Sequence, residues 1–380
     1  MTRIAMVAGE TSSDQIAAHL IAALKMLRTG ISFYGIGGPK MEREGFEALW
    51  PAEKLSVRGY AEVLRHYLEI SRIRRQLLRR LLADKPDVFI GVDGSDFNLW
   101  LERKLKRAGI RVVHFVSPSI WAWRRNRLKK IVESVDHILA LFPFEPELYA
   151  NTSVKCTFVG HPMADVIPLN IKQHAVRESL AIAADRQVFA LLPGSRQAEL
   201  HCMAETFIET AKLLLLRFPR AQFLVPLVSR ETRVQFEIAL WKCKAEDLPF
   251  TLMFGHATEA IAASDAVLVA SGTATLETAL VGRPMVIAYK MSPWTFRIMR
   301  GMGYLPWIGL PNILARRFVV PEFIQDDASP ENLAQAVGNI MIDQPARAAV
   351  EKVFADIHRQ LRQNTGQQAA AVVLACLGAS

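Results

Sequence analysis

The chain has 380 residues, 51% of them hydrophobic, and a formal net charge of +9. That length and apolar content allow two domains with separate cores and argue against a disordered chain. Its four cysteines, Cys156, Cys202, Cys243 and Cys376, lie far apart, without a Cys-x-x-Cys pair or a His cluster at metal-ligand spacing. A zinc site and a disulfide framework are therefore not expected, and a cytoplasmic location is.

The first apolar run, Ile4 to Ala8, ends before Glu10 and is too short for a signal-peptide core. No stretch reaches the roughly 18 uninterrupted apolar residues of a spanning helix. Arg3 to Ala8, Ser32 to Ile36, Asp87 to Val92, Arg111 to Val116 and Asp136 to Phe142 read as one series of strands. Gln187 to Leu192, Gln222 to Leu227, Phe250 to Phe254, Ala266 to Ala270 and Met285 to Tyr289 read as a second. Amphipathic helical stretches separate them, which predicts parallel sheets and two doubly wound α/β domains. The periodicity breaks near Gly160 to Leu169 at His161, Pro162 and Pro168, dividing residues 1–165 from 166–345. Arg347 to Leu377 continues as one long helical pattern, so 346–380 is expected to pack back on the first domain. Ligands of open parallel sheets bind beyond the carboxyl ends of the strands, so an interdomain cleft is the expected active site.

Candidate chemistry sits at those strand ends. Gly9-Glu10-Thr11-Ser12-Ser13-Asp14 is a tight turn into a helix, without the Gly-x-Gly-x-x-Gly spacing of a dinucleotide loop. Ser12 and Ser13 read equally as N-caps and as substrate contacts. Further on, basic residues crowd three segments: Arg72 to Arg80, Arg103 to Arg111 and Arg124 to Lys130. On a helix, Arg65, Arg72, Arg75 and Arg79 share one stripe, with Leu64, Leu68, Leu78 and Leu82 in the apolar remainder. Such a face is either solvated or laid on an anionic membrane surface.

Gly91-Val92-Asp93-Gly94-Ser95-Asp96 carries two carboxylates three residues apart. A lone general base is the better reading than a metal pair: Asp93 ends a buried strand, where desolvation favours proton uptake, and Asp96 suits the N-cap of the next helix. Val116 to Arg124 places Trp121 and Trp123 before a basic run, suited to an acyl chain or to packing on a neighbouring helix. In the second series, Leu191 to Arg196 and Ala270 to Glu277 each open a helix with small residues, which brings backbone N–H groups to a phosphate. Arg196 suits a diphosphate and Glu277 a ribose, which points to a nucleotide-sugar enzyme.

These segments, with Pro86 to Asp93, Phe158-Val159-Gly160-His161-Pro162 and Leu310-Pro311-Asn312, together resemble the lipid-A-disaccharide synthases. Ser117-Pro118-Ser119-Ile120-Trp121-Ala122-Trp123-Arg124 is the most specific of them, and the resemblance runs from the first strand to the final helix. It implies a GT-B glycosyltransferase joining UDP-2,3-diacylglucosamine to 2,3-diacylglucosamine 1-phosphate, with inversion, to give a β-1′,6-linked disaccharide and UDP. By that resemblance Asp93 is the base for the acceptor hydroxyl, Glu10 lies near the reacting centre, and Arg196 handles the donor. Gly194, Ser195, Arg196, Glu199, Ser271, Gly272, Thr273, Glu277 and Asn312 fall to the UDP-sugar site in the donor domain. Ser12, Ser13, Arg58, Trp121 and Trp123 fall to the acceptor and membrane side in the first. It also implies no metal or cofactor, a place on the cytoplasmic face of the inner membrane among anionic lipids, and a homodimer formed by exchange of C-terminal parts.

Two positions depart from the family pattern: Ser13 stands where a glycine usually precedes Asp14, and Arg58 replaces a methionine. Both bear on acceptor fit and membrane contact. Another GT-B nucleotide-sugar transferase or a UDP-sugar epimerase would share the second-domain loops. A nucleic-acid binder would explain the charge, yet no helix-turn-helix, RNP or zinc signature is present. A dehydrogenase lacks its glycine fingerprint.

Overall fold

The computed structural model describes residues 2–55, 63–121, 127–292, 296–297 and 306–378. The chain forms two compact units, Met1–Asp165 with Leu361–Ser380, and Val166–Gln360.

In the first unit the strands are β1 (Thr2–Ala8), β2 (Ile31–Gly37), β3 (Phe46–Pro51), β4 (Val88–Val92), β5 (Arg111–Phe115), β6 (His137–Ala140) and β7 (Lys155–Phe158). They make one parallel sheet in the order β3-β2-β1-β4-β5-β6-β7, so the winding direction reverses between β1 and β4. Both central strands are apolar without alternation because helices cover both faces. Ile4, Met6, Ile90 and Val92 enter the core on one side, and Ala5, Val7 and Phe89 the core on the other.

The second unit repeats the plan with β8 (Val188–Leu192), β9 (Gln222–Leu227), β10 (Phe250–Phe254), β11 (Ala266–Ala270), β12 (Met285–Tyr289) and β13 (Glu322–Ile324). All pair in parallel, in the order β10-β9-β8-β11-β12-β13, with the reversal between β8 and β11.

The sequence reading omits β3, β7 and β13, and all three are edge strands. An edge strand has a neighbour on one side only, so its residues are less covered and its apolar pattern is broken by groups such as Glu47 and Lys155.

The C-terminal stretch differs from expectation: it is two helices, Gln344–Leu361 and Thr365–Gly378. Asn364 takes a left-handed backbone (φ 54°), and the Asp165 carboxylate accepts the amides of Asn364 at 2.9 Å and Thr365 at 2.7 Å. Those bonds start the last helix by filling donors that a helix leaves unpaired at its N-terminus. Gly160 makes the approach feasible, since its φ is 90° and a Cβ there would lie 2.6 Å from Gln363. The final helix then buries Ala369, Ala370 and Val373 in the first unit's core beside the helix Thr11–Leu27.

The basic helix spans Val63–Asp84. Its buried face is Ile73, Leu77 and Leu81, whereas Leu68 and Leu82, expected on the apolar side, are exposed. Arg72, Arg75 and Arg79 are exposed as well. Among the described residues no helix is long and apolar enough to cross a membrane.

Candidate functional site

At the end of β1 the chain turns through Gly9 and Glu10 into the helix Thr11–Leu27, with Glu10 exposed at the N-cap. Ser13, expected on the acceptor side, is fully buried. Its hydroxyl accepts the Glu10 amide at 2.9 Å and donates to the Glu10 carbonyl at 2.8 Å, so it locks the turn and offers no surface. Ser12 is exposed. Buried Asp14 accepts the amides of Gly38 (2.9 Å), Lys40 (3.1 Å) and Met41 (3.1 Å), fixing the turn after β2.

Next to it, β4 ends in Asp93 and Gly94, both left-handed at φ 53° and 52°. The Asp93 amide donates to the Phe115 carbonyl at 2.8 Å, and its carbonyl accepts the Asn98 amide group at 2.7 Å. Backbone bonds therefore fix the turn without using the carboxylate. Asp96 is not the N-cap: the helix begins at Ser95, so the cap falls on Gly94 and the exposed Asp96 pairs instead with Arg127 at 3.0 Å. A cavity of about 480 Å³ opens here, lined by Gly9, Glu10, Leu55, Asp93, Asn98, Ser117 to Ile120 and Arg127.

Trp121 is part-buried and packs edge-on to Phe142 and Phe144, with ring centroids 6.3 and 5.5 Å away. Its indole N–H donates to Glu145 at 3.3 Å. Burial pushes the Glu145 carboxyl up to about 8, against the opposing hydrogen bonds from Phe142 and Trp121. Packing thus accounts for Trp121, and Trp123 and Arg58 lie outside the described residues.

In the second unit β8 runs through Pro193 and Gly194 into the helix Gln197–Arg217. Gly194 has φ 127°, and a Cβ there would sit 2.6 Å from Cβ of Glu199. Glu199 folds back so that one carboxylate oxygen accepts the amides of Ser195 (3.0 Å) and Arg196 (3.2 Å). The expectation that these amides are free for a phosphate is corrected, because a side chain three residues into the helix already fills them. The Arg196 side chain is 83% exposed and touches Glu199 only at 4.0 Å.

The second turn is open by contrast. Gly272 caps the helix Thr273–Val281 without a side-chain bond; the Thr275 amide donates to the Gly272 carbonyl at 3.1 Å, and the amides before it have no intrahelical acceptor. Ser271 donates its hydroxyl to the Ile308 carbonyl at 3.2 Å. Glu277 accepts the Thr258 hydroxyl at 2.5 Å, and burial raises its carboxyl above the ordinary value despite that bond. A cavity of about 410 Å³ brings together Gly194, Ser195, Arg196, Glu199, Ser271, Gly272, Thr273 and Glu277. Tyr289, at the end of β12, also lines it and was not signalled by any motif.

Asn312 is not in that cavity. It is fully buried; its Nδ2 donates to the Val320 carbonyl (2.9 Å) and Glu322 (2.7 Å), and its Oδ1 accepts the amides of Val319 (2.7 Å) and Val320 (3.0 Å). All its polar capacity goes to the turn before β13. Among the described residues no group of three or more His, Cys, Asp or Glu is placed to hold a metal ion.

The fold agrees with solved structures of low sequence identity. The fold is similar to UDP-GlcNAc 2-epimerase from Neisseria meningitidis bound to UDP-GlcNAc (TM-score 0.62, 13% identity, 100% of each chain). It is also similar to Anabaena HepE in complex with UDP and glucose (TM-score 0.59, 13% identity, 99% of each chain). Sequence relatives are much nearer. A lipid-A-disaccharide synthase of Dechloromonas aromatica is 58% identical over 376 residues, covering 99% of this chain and 98% of the relative. That of Chromobacterium violaceum is 53% identical, covering 98% and 96%. The pattern defining the lipid-A-disaccharide synthetase family matches residues 4–374. With nearly its whole length matched in this way, the chain belongs to the lipid-A-disaccharide synthase family.

Proposed function

We propose that the second unit binds UDP-2,3-diacylglucosamine and the first unit the acceptor, 2,3-diacylglucosamine 1-phosphate. The observation that carries this division is the cavity in which Arg196, the uncapped start of the helix Thr273–Val281 and Glu277 meet. Charge accumulates on the departing diphosphate during glycosyl transfer, and fixed positive groups there lower the barrier. Arg196 supplies a full charge and the helix start oriented amides, while Glu277 suits the ribose hydroxyls. Glu199 keeps the first turn closed behind the arginine.

Asp93 takes the proton of the acceptor 6-hydroxyl as its oxygen attacks the anomeric carbon. The bond from that carbon to the diphosphate breaks with its electron pair going to UDP, and attack from the opposite face inverts the centre. Incubation of the protein with both lipid sugars is expected to release one UDP per disaccharide 1-phosphate, read by mass spectrometry. UDP release without acceptor, or epimerised donor as the sole product, would overturn this reading in favour of another UDP-sugar enzyme.

The substrates are acylated, so the protein is taken to work at the cytoplasmic face of the inner membrane. Supporting this, the exposed Arg72, Arg75 and Arg79 share their helix with Leu68, whose relative exposure is 63%. Cosedimentation with vesicles rich in phosphatidylglycerol is expected to fall several-fold in an Arg72→Ser, Arg75→Ser, Arg79→Ser variant. Equal binding by that variant would move the contact elsewhere.

A further inference from the structure

Behind the Asp93 turn lies a buried histidine–carboxylate pair that the transfer chemistry above leaves unused. His114, on β5, and Glu102, on the helix Ser95–Arg107, are both 0% exposed. They meet at 2.6 Å, His114 Nδ1 to Glu102 Oε1. Gly91 makes room for them. It is the register partner of His114 on β4, and a Cβ there would fall 2.1 Å from the Glu102 oxygen. Two residues further along β4 comes Asp93, whose amide is tied to Phe115, the neighbour of His114. One ladder therefore sets the positions of imidazole and base.

The pair sits in a core of leucine, valine, isoleucine and phenylalanine side chains. An ion pair in such a place contributes less stability than apolar groups of the same volume would, so packing alone gives no reason for it. Around the pair, His114 Nε2, Glu102 Oε2 and Asn98 Oδ1 are buried without hydrogen-bond partners among the described residues. Asn98 is the residue whose amide group holds the Asp93 carbonyl, and it lines the cavity.

Burial by itself drives the proton off the imidazole. The charge and hydrogen bond of Glu102, and then the charge of Asp93, outweigh that and raise His114 above the ordinary histidine value. Elsewhere around it, β6 opposes His114 with Ile138, and the helix Val63–Asp84 directs Arg74 onto the Trp100 ring at 4.4 Å. A cation close to a carboxylate favours its ionised form.

We propose that Glu102 and His114 form a buried positioning pair for Asp93, holding a cation behind the carboxylate so that it stays ionised when the acceptor displaces water in front. The proposal rests on the reading of Asp93 as the base. The proton still passes from the acceptor hydroxyl to Asp93 and leaves to solvent after the product does; the pair keeps its own proton throughout.

The test is the pH dependence of kcat/KM for the acceptor, measured on the full chain. His114→Gln removes the cation, and the acid limb is expected to move up by about one pH unit, the lower end for loss of an opposite charge at short range. At pH values below the limb the rate then falls about tenfold, recovers at alkaline pH, and KM for the UDP-sugar does not change. Glu102→Gln keeps the shape and a hydrogen bond while removing the carboxylate that holds the imidazole charged, so it should move the limb the same way. That second variant serves if His114→Gln does not fold. Asp93→Asn is the control. If it retains activity, the base reading fails and this inference with it. If it is inactive while the two pair variants keep the wild-type acid limb, or lose rate equally at every pH, the pair is packing and the inference is overturned.

Discussion

Asp93→Asn is expected to lower kcat by about 10³-fold while leaving the fold unchanged, within the range that positioned general bases contribute. Asparagine has the same shape and tolerates a left-handed backbone, and Asp93 has φ 53°. Both bonds that hold the turn, to Phe115 and from Asn98, use backbone atoms of residue 93, so the substitution spares them. Thermal melting should therefore coincide with wild type. UDP-sugar binding should persist too, because the donor residues all belong to the other unit. The loss is expected in kcat and kcat/KM together, the pattern for an interaction made only in the transition state. A variant turning over within a factor of two of wild type would remove Asp93 from the chemistry.

Arg196→Ala is expected to cost about 10² to 10³ in kcat, the scale for deleting one group that stabilises charge in a transition state. Stability should hardly change. The guanidinium is mostly exposed and its ion pair with Glu199 spans 4.0 Å in water, so the contact contributes little to folding. The backbone of residue 196 stays capped by Glu199 whatever its side chain. Arg196→Lys should recover part of the rate, since it restores the charge without the paired donors that suit a diphosphate. An alanine variant with unchanged kcat would show that the leaving group is met elsewhere.

Central strands were legible in the sequence because burial on both faces leaves them almost wholly apolar: Val188–Leu192, Ala266–Ala270 and Met285–Tyr289 run as expected. Among the edge strands Phe250–Phe254 was read from its apolar residues, whereas Glu322–Ile324 was not, since one side of each ladder is open and mixed residues suffice there. The turns of the site were visible as glycine and serine runs after apolar strands. What those turns do with their own donors was harder to read. Glu199 stands three residues after the cap at Arg196, a capping spacing that was there to be noticed. Asp14 binding the turn at Gly38, or Asn312 saturating the turn before β13, depends on contacts between segments far apart in the chain, or on a side chain turning inward rather than toward ligand. Nor does spacing reveal that Glu102 and His114 meet, because a helix and a strand present them to one gap left by Gly91.

The clasp of Asp165 on Asn364 and Thr365 has a bearing on biosynthesis. Residues 361–378 complete the hydrophobic interior that residues 2–165 begin, and the entire second unit is translated between them. Domains generally fold as they leave the ribosome, N-terminal first, but here the earlier-made half must wait, its interior unsealed, until the tail emerges. The later-made half matures ahead of it.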